Sequence, residues 1–162
     1  MKLPTVEEVY ASCIQIPSLH LGVLASGYPS RSDDDIKVSD VDIALFADPD
    51  ADWTTILKDQ NAACERKDGH TIATFKLFGR DVNVYITRNR RSYMRAQTHR
   101  QHELMLACAH PKAITAIQKM KKDGIDTETA WCKWLEINTY HPHEWMLEWD
   151  YVADQKWPSC YN

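Results

Sequence analysis

The chain has 162 residues and a formal net charge of −4, and its residues are 44% apolar and 26% charged. These values are typical of a globular protein and exclude a collagen-like or linker-like chain. The sequence holds no run of eighteen apolar residues, so no membrane partner is expected. Five scattered cysteines and an N-terminus without an apolar leader segment predict reduced thiols and a cytoplasmic location.

The first half of the chain predicts a helix followed by several strands. Thr5-x-x-Glu8 has the pattern of a capping box, which predicts a helix from about Val6 to Gln15. The later elements are, in chain order, a buried strand over 19–26, a strand over 41–46 covered on both faces, a helix over 53–62, and strands over 71–78 and 81–87 joined by a type II′ turn at Gly79–Arg80.

Beyond Arg88 the pattern becomes helical. Helices are predicted over 92–109, 112–122 and 127–138, and Pro142 is placed to open a last one. This order of elements indicates an α/β (α+β) fold class, with a small mixed β-sheet core and a helical C-terminal extension. We expect residues 1–90 to form the core and residues 91–162 to pack on it, giving a single compact unit.

The charges are distributed unevenly along the chain. Eight aspartates lie between residues 33 and 52, whereas the segment 88–102 has five arginines, two histidines and no acid. One acidic and one basic segment in a small protein indicate a site that handles a metal ion and phosphate together.

Asp40 and Asp42 bracket Val41 at the start of a predicted strand. Residues two apart on a strand point to the same face, about 7 Å apart along it. Two carboxylates placed in this way suit Mg²⁺, which prefers oxygen ligands and also binds substrate phosphates. The alternative is a solvated strand end, because an Asp-x-Asp sequence often arises by chance.

The context of this pair resembles the nucleotidyltransferase superfamily that includes DNA polymerase beta. The first strand ends in small residues at Ser26–Gly27, and the Ser39-Asp40-Val41-Asp42 sequence begins twelve residues after Gly27. The resemblance covers residues 22–86 and implies a nucleotidyltransferase-like core. It further implies that Asp40 and Asp42 hold two Mg²⁺ (or Mn²⁺) ions, which bridge a nucleoside triphosphate and activate a hydroxyl nucleophile. Ser26, Gly27 and Ser39 would then bind the nucleotide.

The chain departs from that family pattern at two places. Tyr28 follows Gly27, where the family has Ser. The third metal-binding carboxylate of the family falls on the strand 81–87, where either Asp81 or Asn83 could complete the site. Asp81 is the candidate catalytic residue of the two, because an Asn amide can ligate a metal ion but cannot act as a general base.

The basic segment 88–95 follows this strand directly. Arginine guanidinium groups pair with phosphate oxygens, so Arg88 and Arg91 are candidate nucleotide-binding residues, and the segment could instead hold a nucleic-acid acceptor. The alternative is a solvated helix face that balances the acidic segment.

These patterns predict a Mg²⁺-dependent, ATP-binding type of enzyme. It would transfer a nucleoside monophosphate from a triphosphate to a hydroxyl of a nucleic-acid, protein or small-molecule acceptor. The alternative is a catalytically degenerate module of the same fold that binds nucleotide, nucleic acid or a protein partner. Paired tryptophans near the C-terminus, at 131, 134, 145 and 149, are compatible with such a partner.

Overall fold

A computed structural model describes residues 4–26, 40–109, 111–126, 129, 130 and 133. The helices and strands are, in chain order, α1 (Val6–Cys13), β1 (Val23–Ser26), β2 (Asp40–Phe46), α2 (Trp53–Ile56), β3 (Ala63–Lys67), β4 (His70–Leu77), β5 (Arg80–Thr87), α3 (Arg90–Ala109) and α4 (Pro111–Lys122). Short 3₁₀ helices lie at Pro17–Leu19 and Lys58–Gln60. This is the mixed α and β fold class that the sequence predicts.

The five strands form one mixed sheet in the order β1-β2-β5-β4-β3. β1 runs antiparallel to β2, and β5, β4 and β3 form an antiparallel meander. β2 and β5 are parallel, so the start of β2 lies beside the start of β5. Their register places Asp40 opposite Asp81 and Asp42 opposite Asn83.

One face of the sheet is covered by the hydrophobic core. Alternate residues of β2 and β5 are buried there and pack with Val6, Val9 and Cys13 of α1. Each large aliphatic side chain buried in this way contributes about 1.5–3 kcal/mol to folding. The aspartates of β2 are half-buried and occupy the other face, so this strand is not covered along its whole length on both faces as predicted.

α1 begins where the sequence predicts. The Thr5 hydroxyl accepts a hydrogen bond from the backbone N–H of Glu8, and the Glu8 carboxylate accepts one from the backbone N–H of Thr5. The helix ends at Cys13, slightly before the predicted end at Gln15, because the chain turns there into the 3₁₀ helix that starts at Pro17.

β1 is shorter than the strand predicted over 19–26, because the residues before Val23 form turns. The backbone N–H of Gly22 donates to the carbonyl of Leu19, and Leu19 is fully buried in the core. A Cβ atom at Gly22 would lie 2.8 Å from the Cγ2 of Ile43, so only glycine allows this approach to β2.

Two tight hairpins build the far side of the sheet. Asp68–Gly69 joins β3 to β4 and Phe78–Gly79 joins β4 to β5, and all four residues have positive φ. Both turns are therefore of type I′, and the predicted II′ turn at Gly79–Arg80 is wrong by one residue. β3 itself was not predicted, although Asp-Gly is a strong hairpin signal.

The predicted helix over 53–62 is also wrong in length. α2 is a single turn, capped by Asp52, which accepts hydrogen bonds from the backbone N–H and the hydroxyl of Thr55. These two bonds lower the pKa of Asp52. The chain then passes through the second 3₁₀ helix. Asn61 caps the end of that helix, and its φ of 52° is a left-handed conformation that stops a helix.

The chain divides into two units between Gln97 and Thr98, within α3. In the second unit Ile117 and Ala130 are buried, and His99 Nε2 lies 3.3 Å from Glu103 Oε1. The described part of the predicted helix over 127–138 is helical at 129, 130 and 133. The predicted last helix from Pro142 and all four of the paired tryptophans lie outside the described residues. No helix of the described residues is long and apolar enough to cross a membrane.

Candidate functional site

The face of the sheet opposite the core carries polar residues in rows that run across neighbouring strands. Asp40, Asp81 and Lys76 form one row, on β2, β5 and β4. Asp42, Asn83 and Thr74 form the next row on the same three strands. Parallel pairing of β2 with β5 creates both rows, because it aligns two strands that each begin with polar residues at alternate positions. We call these six residues the polar rows.

Asp40 and Asp42 converge on one amide. The Nδ2 of Asn83 donates a hydrogen bond to Asp42 Oδ1 at 3.0 Å and to Asp40 Oδ2 at 3.2 Å. The two carboxylates therefore lie close together on the same face, as expected for residues two apart on one strand. Charge-assisted bonds of this kind are stronger than neutral ones, so the amide offsets part of the repulsion between the two acids.

Thr74 holds the other side of the same amide. Its hydroxyl Oγ1 lies 3.3 Å from Asn83 Oδ1, to which it donates. Asn83 is thus fixed between two strands, with its nitrogen directed at the carboxylates and its oxygen at Thr74. A hydroxyl both donates and accepts, so the Thr74 hydroxyl can accept a hydrogen bond from Asn83 Nδ2 when the Asn83 amide is flipped.

Asp81 has a different partner. Its Oδ1 lies 2.9 Å from Lys76 Nζ, and both side chains are well exposed, at 48% and 72%. The Asn83 side chain contacts both Asp40 and Asp42. Asp81 lies opposite Asp40 in the first row and pairs with Lys76. Asp81 remains a carboxylate on the same face, close enough in register to serve the site from beside Asp40.

The phosphate-binding candidates of the first strand are described in part. Ser26 pairs with Asp42 across β1 and β2, next to an irregularity in the register after Leu24. This places the end of β1 beside the carboxylate pair. Gly27 and Ser39 lie outside the described residues.

Arg88 lies at the other end of β5 from the polar rows. It is five residues beyond Asn83, which corresponds to about 16 Å along an extended strand. There it forms an ion pair with Asp48, which also accepts a hydrogen bond from the backbone N–H of Asp50 at 2.8 Å. The Asp50 bond and the Arg88 charge lower the pKa of Asp48. The structure therefore does not bring Arg88 to the carboxylate pair.

Arg91 is exposed in the first turn of α3, which carries no acidic residue. The Asn89 side chain caps this turn by accepting a hydrogen bond from the backbone N–H of Ser92 at 3.1 Å. Arg91 follows Arg88 and so belongs to the same end of β5 rather than to the polar rows.

The polar rows contain oxygen ligands of the type that a divalent cation prefers. Asp40 and Asp42 supply carboxylate oxygens, and Asn83 supplies an amide oxygen once its side chain turns over, with Thr74 then accepting from the nitrogen. Within the part of the chain that the structure describes, no group of three or more His, Cys, Asp or Glu side chains has the arrangement of a metal site. The third ligand of this set is an amide and not an acid.

Sequence reasoning missed two members of the polar rows, Lys76 and Thr74. Both lie on β4, and only the antiparallel register of β4 with β5 brings them beside Asp81 and Asn83. The available signal was the alternation of apolar Ala73 and Phe75 with polar Thr74 and Lys76, which places the two polar residues on the face opposite the core.

One family matches the chain. Residues 23–149, more than three quarters of the sequence, match the family described as "Domain of unknown function (DUF4269)". The matched segment contains β1 and every residue of the polar rows. No curated protein and no solved structure gives a significant match to the chain.

Proposed function

The chain belongs to the DUF4269 family, and from its polar rows we propose that it is a Mg²⁺-dependent nucleotidyltransferase. The reaction transfers a nucleoside monophosphate from a nucleoside triphosphate to a hydroxyl group and releases pyrophosphate. The observation that carries this proposal is the convergence of Asp40 and Asp42 on Asn83. Three oxygen-bearing side chains from two parallel strands meet there on the sheet face opposite the core.

The order of strands supports the same proposal. β1 ends beside Asp42, so a phosphate bound at the end of β1 would lie next to the carboxylates. The sequence resemblance to nucleotidyltransferases rests on this same combination of a first strand, a following Asp-x-Asp and a later strand. The parallel pairing of β2 with β5 puts Asn83 opposite Asp42, which supports Asn83 as the third position of such a site.

The bond changes of the proposed reaction are simple. The acceptor oxygen forms a bond to the α-phosphorus, the bond from that phosphorus to the bridging oxygen breaks, and pyrophosphate carries away the electron pair. Mg²⁺, when bound, would neutralise phosphate charge and favour the deprotonated acceptor. Asp40 and Asp42 would hold this ion, and the exposed carboxylate of Asp81 would take the hydroxyl proton.

A second candidate function is a binding module that holds nucleotide without transferring it. The observation that favours it is the identity of the third residue. Asn83, which contacts both aspartates, has no charge and cannot act as a general base. Asp81, the acid opposite Asp40 on β5, is paired with Lys76.

Transfer is tested by incubating the protein with Mg²⁺, cell extract and each triphosphate labelled in turn at the α-phosphate and at the γ-phosphate. We expect label from the α-phosphate, and none from the γ-phosphate, to enter an acceptor. Asp42→Asn should abolish this transfer. Asp59→Asn, which changes an exposed aspartate in the second 3₁₀ helix, is the matched control and should retain it.

Two other outcomes decide between the candidates. Transfer of the γ-label would identify a kinase-type reaction and contradict the proposal. Binding of Mg²⁺ and triphosphate without transfer to any acceptor in the extract would favour the binding module.

A further inference from the structure

We propose that Lys76 is a phosphate-binding residue of this site and supplies positive charge that a second metal ion would otherwise provide. The inference rests on the proposed function and concerns residues that the sequence motif does not include. Lys76 lies on β4, two strands away from the Asp-x-Asp sequence. The ligand it would bind is the polyphosphate chain of a nucleoside triphosphate.

The register of the sheet places Lys76 in the same row as Asp40. Asp40 is opposite Asp81 on β5, and Asp81 is opposite Lys76 on β4. Neighbouring strands are about 4.8 Å apart, so the Cα atoms of Asp40 and Lys76 are separated by roughly 10 Å. The ion pair with Asp81 directs the Lys76 ammonium group toward β5 and therefore toward the carboxylate pair.

Lys76 is accessible to a ligand in that position. Its side chain is 72% exposed although its ammonium group is 2.9 Å from a carboxylate oxygen. An exposed ion pair of this kind contributes little to the free energy of folding, so stability alone does not account for the position of Lys76. An ammonium group that is already oriented loses less freedom when it binds a phosphate oxygen.

The proposed site has a need for this charge. A triphosphate is polyanionic, and Asn83 in the third position lowers the negative charge available to hold a second divalent ion. Arg88, one of the two arginines that the sequence suggested for the phosphates, lies at the other end of β5 and pairs with Asp48. Lys76 is instead in the polar rows and could reach the phosphates directly.

The test measures binding of Mg²⁺ with a non-hydrolysable nucleoside triphosphate by titration calorimetry. Lys76→Met should weaken binding of the triphosphate by about tenfold or more, since one charge-assisted contact to phosphate is lost. Binding of the corresponding nucleoside monophosphate should weaken less. Lys76→Arg keeps the charge and should stay within about threefold of wild type. Lys58→Met, at an exposed lysine of the second 3₁₀ helix, is the matched control and should bind as wild type does.

The melting temperature without ligand separates binding from folding. Because the ion pair is exposed, Lys76→Met should melt within about 2 °C of wild type. Equal triphosphate affinity in Lys76→Met and wild type would overturn the role of Lys76 and leave the proposed function intact. Absence of triphosphate binding by the wild-type protein would instead overturn the proposed function itself, and with it this inference.

Discussion

The side-chain amide of Asn83 lies 3.0 Å from the carboxylate of Asp42, its partner on the parallel strand. The same nitrogen also donates to Asp40, so one neutral residue bridges both acids of the Asp-x-Asp sequence. An acid in place of Asn83 would bring three negative charges together. The amide instead stabilises the two carboxylates. The residue at this third position therefore decides between the enzyme and the binding module.

Replacement of either aspartate tests the pair as ligands. Asp40→Asn and Asp42→Asn should each lose the rise in melting temperature that Mg²⁺ and a nucleoside triphosphate give the wild-type protein. Preferential binding to the native state stabilises it by about 2.7 kcal/mol when ligand is present at a hundred times its Kd. Thermal unfolding with and without ligand measures this effect. An undiminished response in both variants would exclude these residues as ligands.

Asn83→Asp should have opposite effects without and with metal. Without metal, loss of the amide donor and repulsion by a third carboxylate should lower the free energy of unfolding by about 2 kcal/mol. With Mg²⁺ the variant should bind metal more tightly than wild type, because it offers an added anionic ligand. Urea unfolding with and without Mg²⁺ measures both effects. Asn83→Leu, which removes the donor without adding charge, should be destabilised and gain no affinity for the metal.

Asp81→Ala distinguishes the enzyme from the binding module. If Asp81 takes the proton of the acceptor hydroxyl, its removal should slow transfer by about 10²–10⁴-fold. Nucleotide affinity should change less than threefold, since Lys76 keeps its charge. Transfer rates and calorimetry measure the two quantities separately. Full transfer activity in Asp81→Ala would show that another group accepts the proton.

The hairpin at Phe78–Gly79 allows a test of the fold. Phe78 has a φ of 50° and an exposed side chain, so an aromatic residue occupies a left-handed conformation there. Phe78→Asn should raise the free energy of unfolding by roughly 0.5–1 kcal/mol, because Asn-Gly is the preferred type I′ turn. Gly79→Ala should lower it, since the φ of 81° is unfavourable for a residue with a Cβ atom. Urea unfolding of both variants checks the two signs.

Cys13 gives a pH-dependent prediction. Burial raises the pKa of its thiol from 9.0 to about 11, so the folded protein keeps the proton to higher pH than the unfolded chain does. This contribution to stability is fully present below pH 9 and is lost as the pH rises through about 11. The free energy of unfolding should therefore fall between pH 9 and pH 11, and less steeply in Cys13→Ala. An identical pH dependence in the two proteins would contradict the assignment.

Local sequence signals predicted the elements whose causes are local. The capping box at Thr5 and Glu8 fixed the start of α1, and alternation along β2 placed Asp40 and Asp42 on one face. The same signals erred where long-range packing decides. Leu19 joined the core from a 3₁₀ helix and not from a strand, and the helix predicted over 53–62 ended after one turn at Ile56.

The sequence by itself determined the mixed fold class and the carboxylate pair, because both follow from residue spacing within single elements. Only the tertiary structure decided which residues surround that pair. The parallel register of β2 with β5 put Asn83 between the aspartates and Asp81 beside them, and the register of β4 added Thr74 and Lys76. The position of Arg88 at the far end of β5 was likewise a matter of strand direction. Pairing between strands depends on backbone hydrogen bonds and core packing between distant segments, which the spacing of residues along one segment does not encode.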